Sequence, residues 1–267
     1  MFADITIGRY FPGDSPLHRL DSRVKIILLI LLMFAVFLCA DAPSYALLTV
    51  LSLALALLGG VSIKTLFGAV KPLWVILLIT FAVHLFGTEG ETLFAVGELN
   101  ATIDGAKNGL FMCLRLVLLI IFSSLLVFTT DPLELTDAAE ALLSPFTAIG
   151  LPAHELAMMM SIALRFVPTL LDETDKIMKA QTARGAQFSS GSLITRLKNF
   201  VPILVPLFIS CFRRADELAL AMDARCYPVG GEGRTHLRQM KIAALEYEAT
   251  AFILGIVVVL VGFRIYL

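Results

Sequence analysis

Charged side chains are scarce in this sequence of 267 residues, since Asp, Glu, Lys and Arg together make up only 16% of it. Apolar residues make up 58%, and the mean hydropathy is +0.87. Water-soluble globular proteins contain about 25% charged residues, so both values lie far from that class. The composition therefore predicts an all-α, polytopic membrane protein with no nucleic-acid partner.

Cysteines and catalytic motifs are also sparse. The four cysteines, at positions 39, 113, 211 and 226, include no Cys-x-x-Cys pair, so neither a disulfide framework nor a zinc site is indicated. No Gly-x-x-x-x-Gly-Lys-Ser/Thr loop is present, so the chain does not bind ATP by that device. His154 and Glu155 lack the second histidine of a zinc protease helix, because Met158 occupies that position. We predict no catalytic, cofactor-binding or metal-binding residues and no enzymatic activity.

Five apolar runs are predicted to cross a bilayer, since even about 17 residues at about 1.5 Å per residue give a helix of roughly 26 Å. They are residues 24–40, 44–61, 72–87, 105–130 and 249–267. The N-terminus carries no basic segment before an apolar core, so no cleaved signal peptide is predicted. The first four spans and the N-terminal segment form a predicted domain over residues 1–130, and the last span forms another over residues 249–267.

Lysine and arginine placement predicts the orientation of these spans, because connections rich in the two residues stay in the cytoplasm. The N-terminal segment is basic, and so is the connection at residues 62–71 with Lys64 and Lys71. The loop at residues 88–104 is mainly acidic, with Glu89 and Glu91 among its charges. We expect a cytoplasmic N-terminus and an outer 88–104 loop.

Two of the polar residues inside the predicted spans are candidates for function. His84 lies on an apolar run, where a structural role is favoured over a functional one. Arg115 lies deeper in its span, where charges are expensive and often functional. We expect Arg115 to face other helices or a polar cleft, although the sequence does not identify its partner.

Residues 131–248 form a third predicted region, which mixes apolar helical patterning with frequent charges. Each charge at a bilayer centre costs about 2.5–3.5 kcal/mol on insertion scales, so these helices are poorly suited to crossing. Two long helices are predicted at residues 152–183 and 192–224, and a shorter one follows an N-cap at Asp131. We expect this region on the cytoplasmic side, partly within the interface.

Two short runs end the long helices in matching contexts: TARG at residues 182–185 and DARC at residues 223–226, here called the first and second arginine tips. In both, the arginine follows one alanine directly, another by four residues and an aspartate by nine. A cation at a helix C-terminus is stabilised by roughly 0.3–1 kcal/mol. Each arginine either serves only its own helix end, or the tips fit two similar sockets, which the matching contexts favour. The predicted partner-binding residues are Ala183, Arg184, Gly185, Ala224, Arg225 and Cys226.

With these tips, GRYFPGDSPLHRLDSRVK at residues 8–25 and LRFVP at residues 164–168 resemble the transmembrane T component (EcfT) of energy-coupling factor (ECF) vitamin transporters. The resemblance covers nearly the whole chain. It departs at Cys226, where the family motif has glycine. Cysteine there is strained if the backbone must adopt a positive φ.

The resemblance implies two cytoplasmic ATPase subunits that hold ATP and magnesium, while this chain binds no cofactor itself. Arg184 and Arg225 are similar to the family's contacts with a groove on each ATPase. The long cytoplasmic helices then carry motion to a membrane-embedded S component, which delivers its vitamin across the prokaryotic plasma membrane. A dedicated cobalt or nickel importer is the alternative within the family. A polytopic membrane enzyme and a secondary transporter acting alone are alternatives from other classes.

A cysteine at position 91 tests the predicted orientation. Glu91→Cys should react with a membrane-impermeant thiol reagent on intact cells, because the 88–104 loop is expected outside. The parent chain, whose Cys226 is expected in the cytoplasm, is the control and should react only after lysis. Labelling of Glu91→Cys only in lysed cells would reverse the orientation.

Overall fold

The computed structural model describes residues 10–96, 99–186, 193–227 and 244–266, and it confirms the all-α fold class of a polytopic membrane protein. The helices are α1 (Pro16–Arg19), α2 (Ser22–Leu38), α3 (Ala42–Leu58), α4 (Ile63–Val70), α5 (Trp74–Gly87), α6 (Ile103–Thr129), α7 (Pro132–Leu143), α8 (Ala153–Ala183), α9 (Leu193–Ala224) and α10 (Ala244–Tyr266). One small hairpin is formed by β1 (Thr92–Val96) and β2 (Leu99–Thr102). Short 3₁₀ turns occupy Lys71–Leu73 and Ser144–Ile149.

The described chain divides into two compact units. One, here called the α6 unit, contains the described residues of 10–138 and 244–266. The other, the α8–α9 unit, contains the described residues between 139 and 227. The predicted domain boundaries after residues 130 and 248 separate membrane spans from the charged region between them, not compact units from one another. They stay a prediction.

Helix α6 is the element around which its unit packs. It contacts α2, α3, α4 and α5. Its buried residues recur every three to four positions, which is the helical period. They include Leu118, Phe122, Leu125 and Phe128, each no more than 3% exposed. Helix α10 joins the same core through its contacts with α2.

Two cations cap the C-terminal ends of α2 and α6 reciprocally. Lys25 of α2 is only 6% exposed, and its Nζ donates to the Thr129 carbonyl at 3.0 Å and to Thr130 Oγ1 at 3.3 Å, where α6 ends. Arg115 of α6 donates from Nη2 to the Cys39 carbonyl at 3.0 Å, where α2 ends. Each cation thereby satisfies carbonyls at the negative pole of the neighbouring helix. The antiparallel pair is held at both ends.

Helices α5 and α6 approach closely at two glycines of α6. A Cβ added to Gly105 would lie 2.5 Å from the His84 carbonyl oxygen and 2.8 Å from that of Leu85. A Cβ added to Gly109 would lie 3.1 Å from the Phe81 side chain. Small residues four positions apart allow such close approach between membrane helices. Side chains larger than hydrogen at Gly105 would force the two backbones apart.

All five predicted spans coincide with helices, namely α2, α3, α5, α6 and α10, although their ends differ by a few residues. Within the described residues, four segments are long and apolar enough to cross a membrane: Ile63–Gly87, Ile103–Thr129, Ala153–Ala183 and Ala244–Arg264. Ala42–Leu58 is a shorter apolar helix. Ala153–Ala183 has the lowest mean hydropathy of the four, 1.2. Its predicted place on the cytoplasmic side stays a prediction.

Two connections are more ordered than the sequence predicts. Residues 62–71 are expected to be a plain basic connection but form α4, because Leu66 is buried in the core at 4% exposure. The expected polar loop at residues 88–104 contains an antiparallel hairpin that pairs Thr92 with Thr102 and Val96 with Leu99. Packing of α5 on α6 holds the two ends of this segment together, and local sequence does not encode that contact.

The three helices predicted within residues 131–248 are confirmed. Helix α7 begins at Pro132, and the Asp131 carboxylate accepts from the Leu133 N–H at 2.7 Å as the predicted N-cap. Helix α8 continues for 31 residues through Pro168, and α9 continues for 32 residues through two further prolines. Both long helices therefore extend to the arginine tips.

Gly105→Ala should destabilise the α6 unit, because one methyl group would meet two carbonyl oxygens of α5 at less than 3 Å. Overpacking of this kind costs about 1–3 kcal/mol. Gly255→Ala on α10 is the matched control, since beyond the local helix backbone no described residue lies within 4 Å of the added Cβ. Thermal denaturation in detergent measures both variants, and equal melting temperatures would contradict the close packing.

Candidate functional site

The first arginine tip closes α8 with a Schellman turn. The Gly185 N–H donates to the Thr182 carbonyl at 2.9 Å, and the Ala186 N–H donates to the Gln181 carbonyl at 3.0 Å. Gly185 has a φ of 91°, in the left-handed region that this turn requires. Arg184 is therefore the last residue before the chain reverses.

The second arginine tip repeats this geometry at the end of α9. The Cys226 N–H donates to the Asp223 carbonyl at 2.8 Å, and the Tyr227 N–H donates to the Met222 carbonyl at 3.0 Å. Cys226 has a φ of 51° and is the one non-glycine residue with a positive φ in the described chain. The backbone thus keeps the glycine-type turn although cysteine occupies it, at a cost of about 1–2 kcal/mol for a side chain in this conformation.

Both tips present their arginine to solvent. Residues 182–185 and 223–226 are exposed, and the residues that flank each tip are half-buried, so the two exposure patterns match position by position. Among the described residues, neither Arg184 nor Arg225 has a carboxylate within 4.0 Å. A planar guanidinium offers five N–H donors that suit carboxylates and carbonyl oxygens. Both guanidinium groups are therefore exposed and form no ion pair with another described residue.

Helices α8 and α9 pack in antiparallel orientation, which sets where the tips lie. Early in α8, Met158 Sδ lies 3.0 Å from the Tyr227 hydroxyl, just after α9 ends. Further along α8, Glu173 Oε2 lies 3.6 Å from Nη2 of Arg214, which is earlier in α9. The second tip thus lies near the start of α8 and the first tip at its end. Along α8, the path from Met158 to Arg184 is about 39 Å at 1.5 Å per residue.

An apolar stripe on α8 provides this packing. Its residues recur every four positions, as one face of a helix requires. Ile162, Phe166 and Leu170 line a cleft of about 280 Å³ opposite residues 211–222 of α9. His154 and Met158 continue the same stripe toward the start of α8 and meet Tyr227.

A polar cluster that the sequence does not predict lies beside the second tip. Glu140 Oε1 of α7 lies 2.6 Å from His154 Nδ1 of α8, and His154 Nε2 lies 3.5 Å from the Tyr227 hydroxyl. The sequence carries one signal for this cluster, since His154 shares its helical face with the apolar stripe. The contacts themselves join residues 14 and 73 positions apart, which local patterns do not reveal.

His84 and Arg115 both contact their own chain, although the buried Nε of Arg115 has no hydrogen-bond partner among the described residues. His84 Nδ1 lies 2.9 Å from the Thr80 carbonyl of its own helix, as the predicted structural role requires. Arg115 faces α2, as predicted, and its partners are the Cys39 carbonyl and the Phe37 ring. Within the described chain, no three His, Cys, Asp or Glu side chains group closely enough to hold a metal ion.

The fold and the matched tips define a polytopic α-helical membrane protein with two similar cationic helix ends. The family profile described as "CbiQ: Cobalt transport protein" matches residues 13–237. Relatives named energy-coupling factor transporter transmembrane protein EcfT are 50% identical in Thermosediminibacter oceani (92% of each chain) and 50% identical in Acidaminococcus fermentans (99% of this chain, 98% of the relative). The relative of that name in Bacillus subtilis is 48% identical over 90% of this chain and 91% of its own. The chain therefore belongs to the EcfT family of transmembrane components of energy-coupling factor transporters.

Exchanging glycine and cysteine between the tips tests their shared geometry. Cys226→Gly should slow amide hydrogen exchange at residues 226 and 227 about 5- to 30-fold, because it removes the cost of a left-handed side chain. Gly185→Cys introduces that cost at the first tip and should speed exchange at residues 185 and 186. Transport by the assembled complex should survive Cys226→Gly. Unchanged exchange rates in both variants would contradict the strain at Cys226.

Proposed function

We propose that this chain is the energy-coupling scaffold of an ECF-type importer, in which Arg184 and Arg225 each bind one of two cytoplasmic ATPase subunits. The observation that carries this proposal is the pair of tips with the same turn, the same exposure pattern and an arginine at the same position. Two similar arginine tips would suit two similar grooves, one on each ATPase subunit. ATP and magnesium then belong to the partner subunits, and this chain catalyses no reaction itself.

The separation of the tips supports two subunits rather than one. About 39 Å of helix separates Arg184 from the level of the second tip, so each tip can be bound by a partner of its own. Two ATPases that approach each other during a cycle would therefore act on opposite ends of one antiparallel helix pair. The helices α8 and α9 would transmit that motion to a substrate-binding S component in the plasma membrane.

Vitamins are the cargo we propose, because the arginine tips and the 8–25 and 164–168 segments resemble those of the T component of ECF vitamin transporters. The profile description "Cobalt transport protein" favours a metal ion as the second candidate. Uptake of labelled vitamins and of labelled Co²⁺ by cells that contain or lack this chain separates the two cargoes. Loss of Co²⁺ uptake alone on deletion would favour the second candidate.

The double variant Arg184→Ala with Arg225→Ala tests the docking role. Truncating one member of a buried charge pair costs about 2–5 kcal/mol, or a weakening of roughly 30- to several-thousand-fold. Copurification of both ATPases with the double variant should therefore fail, while the spans still insert. Arg→Lys at both positions should restore binding only in part, because lysine lacks the planar fork.

Arg213→Ala is the matched control, because Arg213 is an exposed arginine on α9 twelve residues before the second tip's arginine. It should leave copurification and uptake unchanged. An arginine that served only its own helix end would cost about 0.3–1 kcal/mol when removed, and the complex would survive. Normal copurification and normal uptake in the double variant would therefore refute the docking role.

A further inference from the structure

The two tips share their turn but differ in the side chains that form it and come after it. At the first tip, Gly185 adopts the left-handed conformation without a side chain, and Ala186 is the next residue. At the second tip, Cys226 adopts that conformation with a side chain, and Tyr227 is the next residue. A strained residue persists only where its surroundings fix it. The second tip therefore needs a support that the first does not.

The Tyr227 side chain provides contacts that Ala186 has no atoms to make. Its backbone N–H closes the turn to the Met222 carbonyl at 3.0 Å, just as the Ala186 N–H closes the first tip, so the difference lies in the phenol. Its hydroxyl lies 3.0 Å from Met158 Sδ and 3.5 Å from His154 Nε2, both in the first two turns of α8. One residue thus joins the turn of the second tip to the start of the antiparallel helix.

Glu140 hydrogen-bonds to His154, the histidine that lies beside the Tyr227 hydroxyl. The Glu140 carboxylate lies 2.6 Å from His154 Nδ1, so Nδ1 carries the proton and donates it to this hydrogen bond. The Tyr227 hydroxyl donates its one proton to Met158 Sδ, and His154 Nε2 lies 3.5 Å from the same oxygen. Both partners are largely shielded from water, since the side chains of His154 and Glu140 are 29% and 16% exposed. The three residues form a chain from the last turns of α7, through α8, to the second tip.

We propose that Tyr227 is a positioning residue, which together with Glu140 and His154 fixes the strained turn at Cys226 and so aims Arg225 at its partner. Its effect on partner binding rests on the docking role proposed above for Arg225, whereas its effect on the turn does not. The two tips are then unequal in one respect. The first tip is shaped by glycine alone, and the second is held by a side-chain contact between helices.

Amide hydrogen exchange of the full chain in detergent tests the effect on the turn. Tyr227→Phe removes only the hydroxyl, and it should speed exchange at residues 226 and 227 about 3- to 10-fold, the range that one hydrogen bond is worth. Exchange at residues 185 and 186 of the first tip should stay unchanged in the same molecule. Tyr247→Phe, at an exposed tyrosine of α10, is the matched control and should change neither tip.

The double variant Tyr227→Phe with Cys226→Gly tests the compensation. Removing the strain should offset the lost contact, so exchange at the second tip should be no more than about twofold faster than in the parent chain. Unchanged exchange in Tyr227→Phe, or equal acceleration at both tips, would overturn the proposal. Exchange in the double variant as fast as in Tyr227→Phe alone would overturn it too.

Partner binding is tested in an Arg184→Ala background, where only the second tip remains. Copurification of the ATPases should fall about 3- to 10-fold on adding Tyr227→Phe and recover on adding Cys226→Gly. Adding Arg225→Ala in this background separates the two proposals. If it leaves copurification unchanged, the docking role fails, and the exchange rates still decide whether Tyr227 positions the turn. If Arg225→Ala abolishes copurification and Tyr227→Phe does not lower it, the positioning role in binding fails alone.

Discussion

The antiparallel packing of α8 on α9 is the constraint on which the candidate site depends. An apolar stripe that repeats every four residues lies between the helices, and the Glu173–Arg214 ion pair lies further along them. Because each arginine ends its own helix, antiparallel packing places Arg184 and Arg225 at opposite ends. Parallel packing of the same two helices would have put both cations at one end, where they would repel each other and serve a single partner.

Local patterns in the sequence are sufficient to predict the long helices and the arginine tips. The long helices are encoded by their periodicity, and the matching contexts of Arg184 and Arg225 predict two similar helix ends. The orientation of α8 on α9 is not encoded locally, since it depends on contacts such as His154 with Tyr227, 73 residues apart. The same limit explains α4 and the β1–β2 hairpin, whose order comes from packing. The aspartates nine residues before each arginine, Asp175 and Asp216, differ in their surroundings. Asp175 forms an ion pair with Lys179 at 2.6 Å, whereas α9 has Leu220 at the position equivalent to Lys179.

Arg115 illustrates how a charge in an apolar helix acquires a structural explanation. From the sequence alone, it is the residue best suited to a reaction or a transported ion within the spans. In the structure, its guanidinium donates to the Cys39 carbonyl oxygen at the end of α2. The same guanidinium lies over the Phe37 ring, 5.9 Å from the centre of the ring. The partner is a backbone atom, and a sequence motif does not reveal backbone partners. Arg115 is therefore part of the packing of α2 on α6, in contrast to the exposed arginines at the ends of α8 and α9.

The reciprocal caps of α2 and α6 also fix the number of residues between each cation and the C-terminal end of its own helix. Lys25 precedes Cys39 on α2 by the same number of positions as Arg115 precedes Thr129 on α6. Because the two spacings are equal, Lys25 reaches the end of α6 while Arg115 reaches the end of α2. Insertion or deletion of one residue between the caps on either helix shifts one end by about 1.5 Å and rotates it by about 100°. This part of the chain therefore tolerates substitution far better than a change in length.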